Sequence, residues 1–202
     1  VLRAGLAEEW KITDLDATIG RFKAAWAEEQ AARTVQGVRA AGGGSINGMI
    51  DSYYEYLLKS WLLFGDEDCR RLWESGREAV HRYLADDSAR GLWYGQAEME
   101  TGRRVSTRFG ALTAFFPAVL ALDGDLVRAA RLQDSCLRMW NLRGIEPELI
   151  DYSTMTILDA SYVLRPEIIE SAYTLYHFTK DARYRRMGEV FFEDLVKACR
   201  LD

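Results

Sequence analysis

The sequence predicts an all-α fold, an α/α toroid ((αα) barrel) of repeated helical hairpins, here a partial ring, and three observations carry that expectation. Apolar residues recur at helical spacing rather than in strict alternation. The helices they define come in pairs, one strongly apolar and one polar on a single side. The pair recurs three times at a regular interval.

The first pair follows the glycine-rich stretch Gly42-Gly43-Gly44. From Asp51 onward Tyr54, Leu57, Leu58, Trp61 and Leu62 fall on one stripe, with Lys59 and Ser60 off it. The string FGDED interrupts it, and CRRLWESGREAVHRYLA follows as a more polar helix. The second pair is TRFGALTAFFPAVLAL, the break DGD and LVRAARLQDSCLRMWNL; the third is RPEIIESAYTLYHF, the break TKDARY and RRMGEVFFEDLVKACR. The breaks lie near Gly65, Gly124 and Lys180, an interval natural for an αα-hairpin with a connecting loop. An apolar helix is buried most economically by ringing it with amphipathic copies, which makes inner helices around a hollow and outer helices facing water. Three hairpins do not close such a ring, so an open arc or a part of a longer or multi-chain assembly is expected. Residues 1–40 add one amphipathic candidate, with Ile19, Phe22, Trp26 and Val35 near helical spacing. The loops 90–106 and 143–164 carry β-branched and turn residues and are expected to pair as short strands.

Bulk composition narrows the function. A chain of 202 residues, 49% hydrophobic and 28% charged, holds one sizeable core and is neither disordered nor collagen-like. Its net charge of −5 and isoelectric point near 5.2 argue against nucleic acid or an acidic membrane surface as partner. The longest apolar run stops at Asp123 and contains Pro117, too short for a membrane span. The N-terminal VLRAGLAEEW has no leader-like apolar run, and the missing initial Met is expected to reflect processing or trimming. Cys69, Cys136 and Cys199 are odd in number and far apart, without metal-binding spacing. Six Trp and ten Tyr suit sugar stacking, and equally suit a large helical core.

Two acidic positions stand out. Asp51 marks the junction of glycine-rich loop and helix, where a carboxylate caps exposed N–H groups, and Glu55 lies one turn on along the same face. In LRPEIIES, Pro166 fits a first helical turn, so Glu167 and Glu170 share a face at the start of that helix, where the helix dipole favours acids. Register joins the two, because Asp51 and Glu167 each begin the apolar helix of a hairpin. A ring would bring them to one rim. Arg165 adjoins Glu167 and is placed to hold a carboxylate charged or to bind a hydroxyl. Two carboxylates across a cleft are the minimum equipment for cleaving a glycosidic bond. Phosphate-loop, dinucleotide and nucleophile-elbow patterns fail around Gly42–Asn47, and His81 and His177 read as surface or core residues.

The strings DSYYEYLLKSW with FGD, ALTAFFPAVLALDGD and YVLRPEIIESAYTLYHFTKDARYRRMG, in that order, resemble glycoside hydrolase family 47 α-mannosidases. The nearest likeness is to their endoplasmic-reticulum degradation-enhancing mannosidase-like branch. The resemblance spans residues 43–200, leaves 1–42 unassigned, and treats 1–202 as one partial barrel domain. It implies a seven-hairpin (αα) barrel, inverting exo-hydrolysis of terminal α-1,2-linked mannose, a mannose-containing oligosaccharide as substrate, and a Ca2+ ion at the barrel base. Asp51 matches a catalytic carboxylate of the family and Glu167 the base that activates water. Arg165 and Glu170 match active-site companions, and Glu148 of GIEPE resembles a further pocket acid. The family also implies a secretory, periplasmic or extracellular setting.

Three departures accompany the likeness. The family's proton-donating glutamate belongs to an N-terminal motif without a counterpart in residues 1–50, and its calcium-binding threonine to a segment beyond Asp202. Gly110 and Ala111 stand where relatives carry an acid. Half of the catalytic set is therefore expected here, completed by another segment or a second copy in an oligomer. The rival expectations are a non-catalytic mannose-binding helical module, an inactive fragment, and a helical scaffold without a sugar site.

Overall fold

The computed structural model describes residues 44–46, 48, 50–88 and 91–200. The amphipathic candidate in residues 1–40, Gly42, Gly43 and Asn47 lie outside the described residues.

The stop-and-start signals of the sequence set the architecture. Gly65, Gly124 and Lys180 all take left-handed backbone, with φ of 66°, 91° and 56°, so no right-handed helix runs through them. An aspartate follows each. Asp66 accepts from the N–H groups of Asp68 and Cys69, Asp125 from Arg128 and Asp181 from Arg183, each starting the next helix. The result is three hairpins: α1 (Asp51–Phe64) with α2 (Glu67–Ala79), α3 (Phe116–Leu122) with α4 (Leu126–Trp140), and α5 (Glu167–Thr179) with α6 (Ala182–Cys199). The first members pack side by side in the order α1, α3, α5, each backed by its partner. That is the all-α arc of inner and outer helices expected from the repeat.

The second inner helix differs from its expectation. Residues 107–122 do not form one α-helix: Arg108–Gly110 is a strand, Ala111–Phe115 a 3-10 turn, and only Phe116–Leu122 is α-helical. Pro117 is the physical reason, since it has no N–H for the i−4 bond and its ring crowds the preceding turn. Ser171 of α5 repairs the junction. Its hydroxyl accepts from the Ala118 N–H (3.1 Å) and donates to the Ala114 carbonyl (2.6 Å), standing inside the broken helical ladder. The expected polar helix of the first hairpin also ends early, at Ala79, with one π turn at Val80–Leu84. On α1 the stripe is narrower than expected: Leu57 and Leu58 are buried and Leu62 is exposed.

Both long loops pair as short antiparallel strands. β1 (Ala85–Ser88) pairs with β2 (Gly91–Tyr94), β3 (Gln96–Ala97) with β4 (Arg104–Ser106), and β5 (Arg108–Gly110), β6 (Leu149–Asp151) and β7 (Thr156–Asp159) form a three-stranded sheet in that order. Gly44 bridges to Ala97 and so ties the glycine-rich loop to the strands. Gly95 allows this crowding, because a Cβ there would lie 2.6 Å from both the Ser106 carbonyl and the Tyr152 hydroxyl. The large aromatics are mostly core: Trp93 stacks on Tyr152 at 5.4 Å, and the Trp73 and Trp140 indoles donate to Asp123 and Asp194. No disulfide joins Cys69, Cys136 and Cys199. Tyr173 and Phe192, on the last hairpin, stay 69% and 68% exposed.

Candidate active site

The rim at the N-terminal ends of α1 and α5 collects the acids singled out in the sequence. Asp51 is the first residue of α1 and is half-buried. It does not cap the helix in the expected way; among the described residues its Oδ1 accepts from the neighbouring Ser52 N–H at 2.8 Å. Glu167 is the first residue of α5, behind Pro166, and is half-buried. Its Oε2 is buried without a hydrogen-bond partner among the described residues. Burial holds the Glu167 carboxyl above the usual carboxylate range, the charges of Asp51 and Glu148 push the same way, and Arg165 opposes them. Asp51 and Glu167 thus lie within electrostatic reach of each other on one rim.

Arg165 and Glu148 form the fixed part of the site. The Arg165 guanidinium donates through Nε (2.8 Å) and Nη2 (2.6 Å) to the two carboxylate oxygens of Glu148. Such a fork sets position as well as charge. Glu148 is itself held by its backbone, its N–H on the Ser161 carbonyl and its C=O accepting from Ala111. Glu170 lies one turn further along α5. It is exposed, and its charge bears on Lys59 of α1, whose ammonium bonds Glu55. Burial disfavours the Lys59 charge, and Glu55 with Glu170 more than restores it.

One acid of this rim is missing from the sequence-based set. Glu146 is wholly buried, 0% exposed, and neither carboxylate oxygen has a hydrogen-bond partner among the described residues. Burial, then the charges of Glu167 and Glu148, raise its proton affinity well beyond that of an ordinary glutamate, with Arg165 opposing. The sequence offers only its place two residues before Glu148 in GIEPE, a turn and coil stretch ahead of β6 with no periodicity to assign it a side.

Residues 13–202 match Glycosyl hydrolase family 47. The chain belongs to glycosyl hydrolase family 47. Among curated relatives of this family 47 chain, Alpha-mannosidase I MNS4 of Arabidopsis thaliana is 37% identical over 148 residues, 72% of this chain and 23% of that protein. ER degradation-enhancing alpha-mannosidase-like protein 1 of Schizosaccharomyces pombe is 32% identical over 163 residues, 81% of this chain and 20% of that protein. The chain spans about a quarter or less of the length of these relatives. In fold it is similar to the alpha-1,2-mannosidase from Trichoderma reesei, with a TM-score of 0.68 and 21% identity, over 78% of this chain and 39% of that one. The family 47 match reaches thirty residues further toward the N-terminus than the motifs that first suggested it.

Family 47 membership, as read from the motifs, implies calcium. The rim supplies hard carboxylate oxygens of the kind calcium takes. Among the described residues, however, no group of three His, Cys, Asp or Glu side chains is arranged to hold a metal ion. These residues do not by themselves form a complete cation site.

Proposed function

We propose that the chain supplies the base side of an exo-α-1,2-mannosidase site that hydrolyses mannose-containing oligosaccharides with inversion. The observation that carries the reading is Glu167, a half-buried carboxylate at a helix start with one oxygen unpartnered and Asp51 nearby. Glu167 takes a proton from a water molecule as that water attacks the anomeric carbon. A base whose proton affinity is raised toward working pH does this more effectively than an ordinary carboxylate. Asp51 is the second rim carboxylate, which favours developing positive charge on the sugar ring. The Arg165–Glu148 fork fixes the wall beside the base, and Glu148 and Glu170 offer acceptors for sugar hydroxyls. Protonation of the departing oxygen falls to an acid outside the described set. Inversion needs room for water between acid and base, which agrees with carboxylates drawn from separate segments. Calcium belongs to the proposal only with oxygen ligands from outside the described residues.

Support for the linkage comes from the motifs. A secretory-pathway setting is proposed on the same motifs and on the name of the Schizosaccharomyces pombe relative. No helix among the described residues is long and apolar enough to cross a membrane.

The deciding experiment measures mannose released from an α-1,2-mannobioside, with calcium and with chelator, by the chain and by Glu167→Gln. Removing a general base costs on the order of a hundredfold or more in rate. Turnover undiminished in Glu167→Gln removes that residue from its role. Binding in a calorimeter without turnover makes the chain a mannose-binding module instead. The anomer of the first released mannose, read by NMR, tests inversion.

A further inference from the structure

Two tripeptides face each other at the rim: Glu146-Pro147-Glu148 and Arg165-Pro166-Glu167. Glu148 and Arg165 bind each other through two hydrogen bonds, so the single guanidinium is committed. What remains is Glu146 and Glu167, two acids without a cation of their own. Their unsatisfied oxygens are buried: both of Glu146 and Oε2 of Glu167. Burying one uncompensated carboxylate is costly, and two close together cost more because each repels the other. Such a pair keeps one proton, and the proton stays where water is scarcest. Glu146 is the member with no exposure at all.

We propose that Glu146 is a positioning residue for the base: a buried acid kept uncharged, which retains the proton of the pair so that Glu167 carries the negative charge. The charged and titratable groups that bear on Glu146 fit this assignment. Glu167 on α5 and Glu148 on its own segment repel a second negative charge, and Arg165 is engaged by Glu148. Cys136 of α4 and Tyr162 ahead of Arg165 are both made harder to ionise by burial first and by Glu146 among their further neighbours, so neither supplies a positive charge. Asp51 bears on Glu167 from α1 and adds to the repulsion there. An ionised Glu146 within electrostatic reach of Glu167 would raise the proton affinity of the base further and leave it protonated at the pH where it must accept a proton from water. The uncharged form avoids this.

The functional consequence rests on the base role proposed for Glu167; the protonation claim does not, and it is tested without any substrate. The full chain is prepared with glutamate labelled at the carboxyl carbon, and the carbon shifts are followed from pH 3 to 9 in the wild type, Glu146→Gln and Glu167→Gln. We expect one carboxyl signal to keep its protonated shift through pH 7 and to vanish in Glu146→Gln. The Glu167 midpoint stays in place in that variant, because an amide imitates a neutral acid. A Glu146 signal that titrates in the ordinary range near 4.3 overturns the proposal. So does a fall of about one pH unit or more in the Glu167 midpoint of Glu146→Gln, which shows that Glu146 had carried charge. Thermal melts give an independent reading. The melting temperature of Glu146→Gln relative to wild type should rise between pH 4 and pH 7, and a flat difference overturns the proposal as well. Should Glu146→Gln fold poorly, Glu167→Gln decides alone, since removing its charge must let Glu146 ionise at lower pH. Undiminished mannosidase activity in Glu167→Gln removes the base role alone, and a Glu146 signal that titrates normally removes the protonation claim alone, so the two failures are distinguishable.

Discussion

Cutting the Arg165–Glu148 fork from its two ends should give unequal losses. Both side chains are 24% exposed, so the pair lies between a surface ion pair and a buried one. At about 4 Å and an effective dielectric near 20 the gross attraction is about 4 kcal/mol, and much of it is offset by desolvation. Surface pairs contribute about 0.2–1 kcal/mol, whereas breaking a buried pair costs about 3–5 kcal/mol. Arg165→Met should therefore cost about 2–3 kcal/mol at pH 7, because it leaves Glu148, Glu146 and Glu167 with no cation. Glu148→Gln should cost only about 1 kcal/mol, because Arg165 already feels Glu167 and Glu146 and turns to them. The pH dependence follows from the direction of the carboxyl shifts. Without Arg165, Glu146 and Glu167 bind protons still more tightly in the folded chain than in the unfolded one. An acid raised in this way loses folded-state stability as pH climbs above the unfolded value near 4.3. The Arg165→Met deficit should thus be widest at pH 7 and shrink toward pH 4. Urea unfolding at both pH values, with the double variant to close the cycle, measures it. A loss in Glu148→Gln equal to that in Arg165→Met, or a deficit independent of pH, refutes the charge argument.

Two further variants probe the scaffold beneath the rim. Ser171→Ala removes the hydroxyl that joins the Ala118 N–H to the Ala114 carbonyl, and should cost about 1–3 kcal/mol in denaturant unfolding, with a loss below about 0.5 kcal/mol showing that the ladder closes by itself. His81, held by the Tyr94 hydroxyl at 3.0 Å, is pushed down to about 4, by burial first and then by Arg128. The unfolded histidine protonates near 6.5, so this stability is present above that value and is lost as pH falls toward 4. Discounted for solvent screening, the loss is about 1–2 kcal/mol, read as the stability difference between wild type and His81→Gln at pH 7 and pH 4.5.

Much of this architecture is legible in the chain because its punctuation is chemical. Gly65-Asp66, Gly124-Asp125 and Lys180-Asp181 each place a left-handed residue before an N-capping aspartate, and the helices stop and restart there. Hydropathy alone misleads at residues 107–115, where apolar content suggests a helix but Pro117 and the pairing of β5 with β6 impose extended and 3-10 backbone. The stripe on α1 misleads for another reason. Periodicity identifies an apolar face but not how much of it a neighbour covers, and Leu62 is left in the open. Asp51 and Glu167 were found through register, since equivalent ends of equivalent helices share a rim. Glu146 is not distinguished by any local rule from its half-buried neighbour Glu148, because only the packing decides which of the two is wholly buried.

The rim also shows why stability and function pull apart here. Among the described residues Glu146, Glu148 and Glu167 act on one guanidinium, that of Arg165, and a stability-only design would replace at least one with an apolar residue of similar size. Nothing in the helical repeat requires these acids, because the apolar faces and the three Asp caps already specify the hairpins. Their cost is greatest when the unpartnered oxygens of Glu146 and Glu167 have no donor. Under the proposed function a sugar brings neutral hydroxyl donors to the half-buried Asp51, Glu148 and Glu167, without adding the competing charge of a salt bridge, while the wholly buried Glu146 stays out of its reach. A ligand of that kind stabilises the folded chain in proportion to its occupancy. An acidic ligand would add to the uncompensated charge instead, so the same electrostatics that weaken the rim select a neutral polyol over an anion.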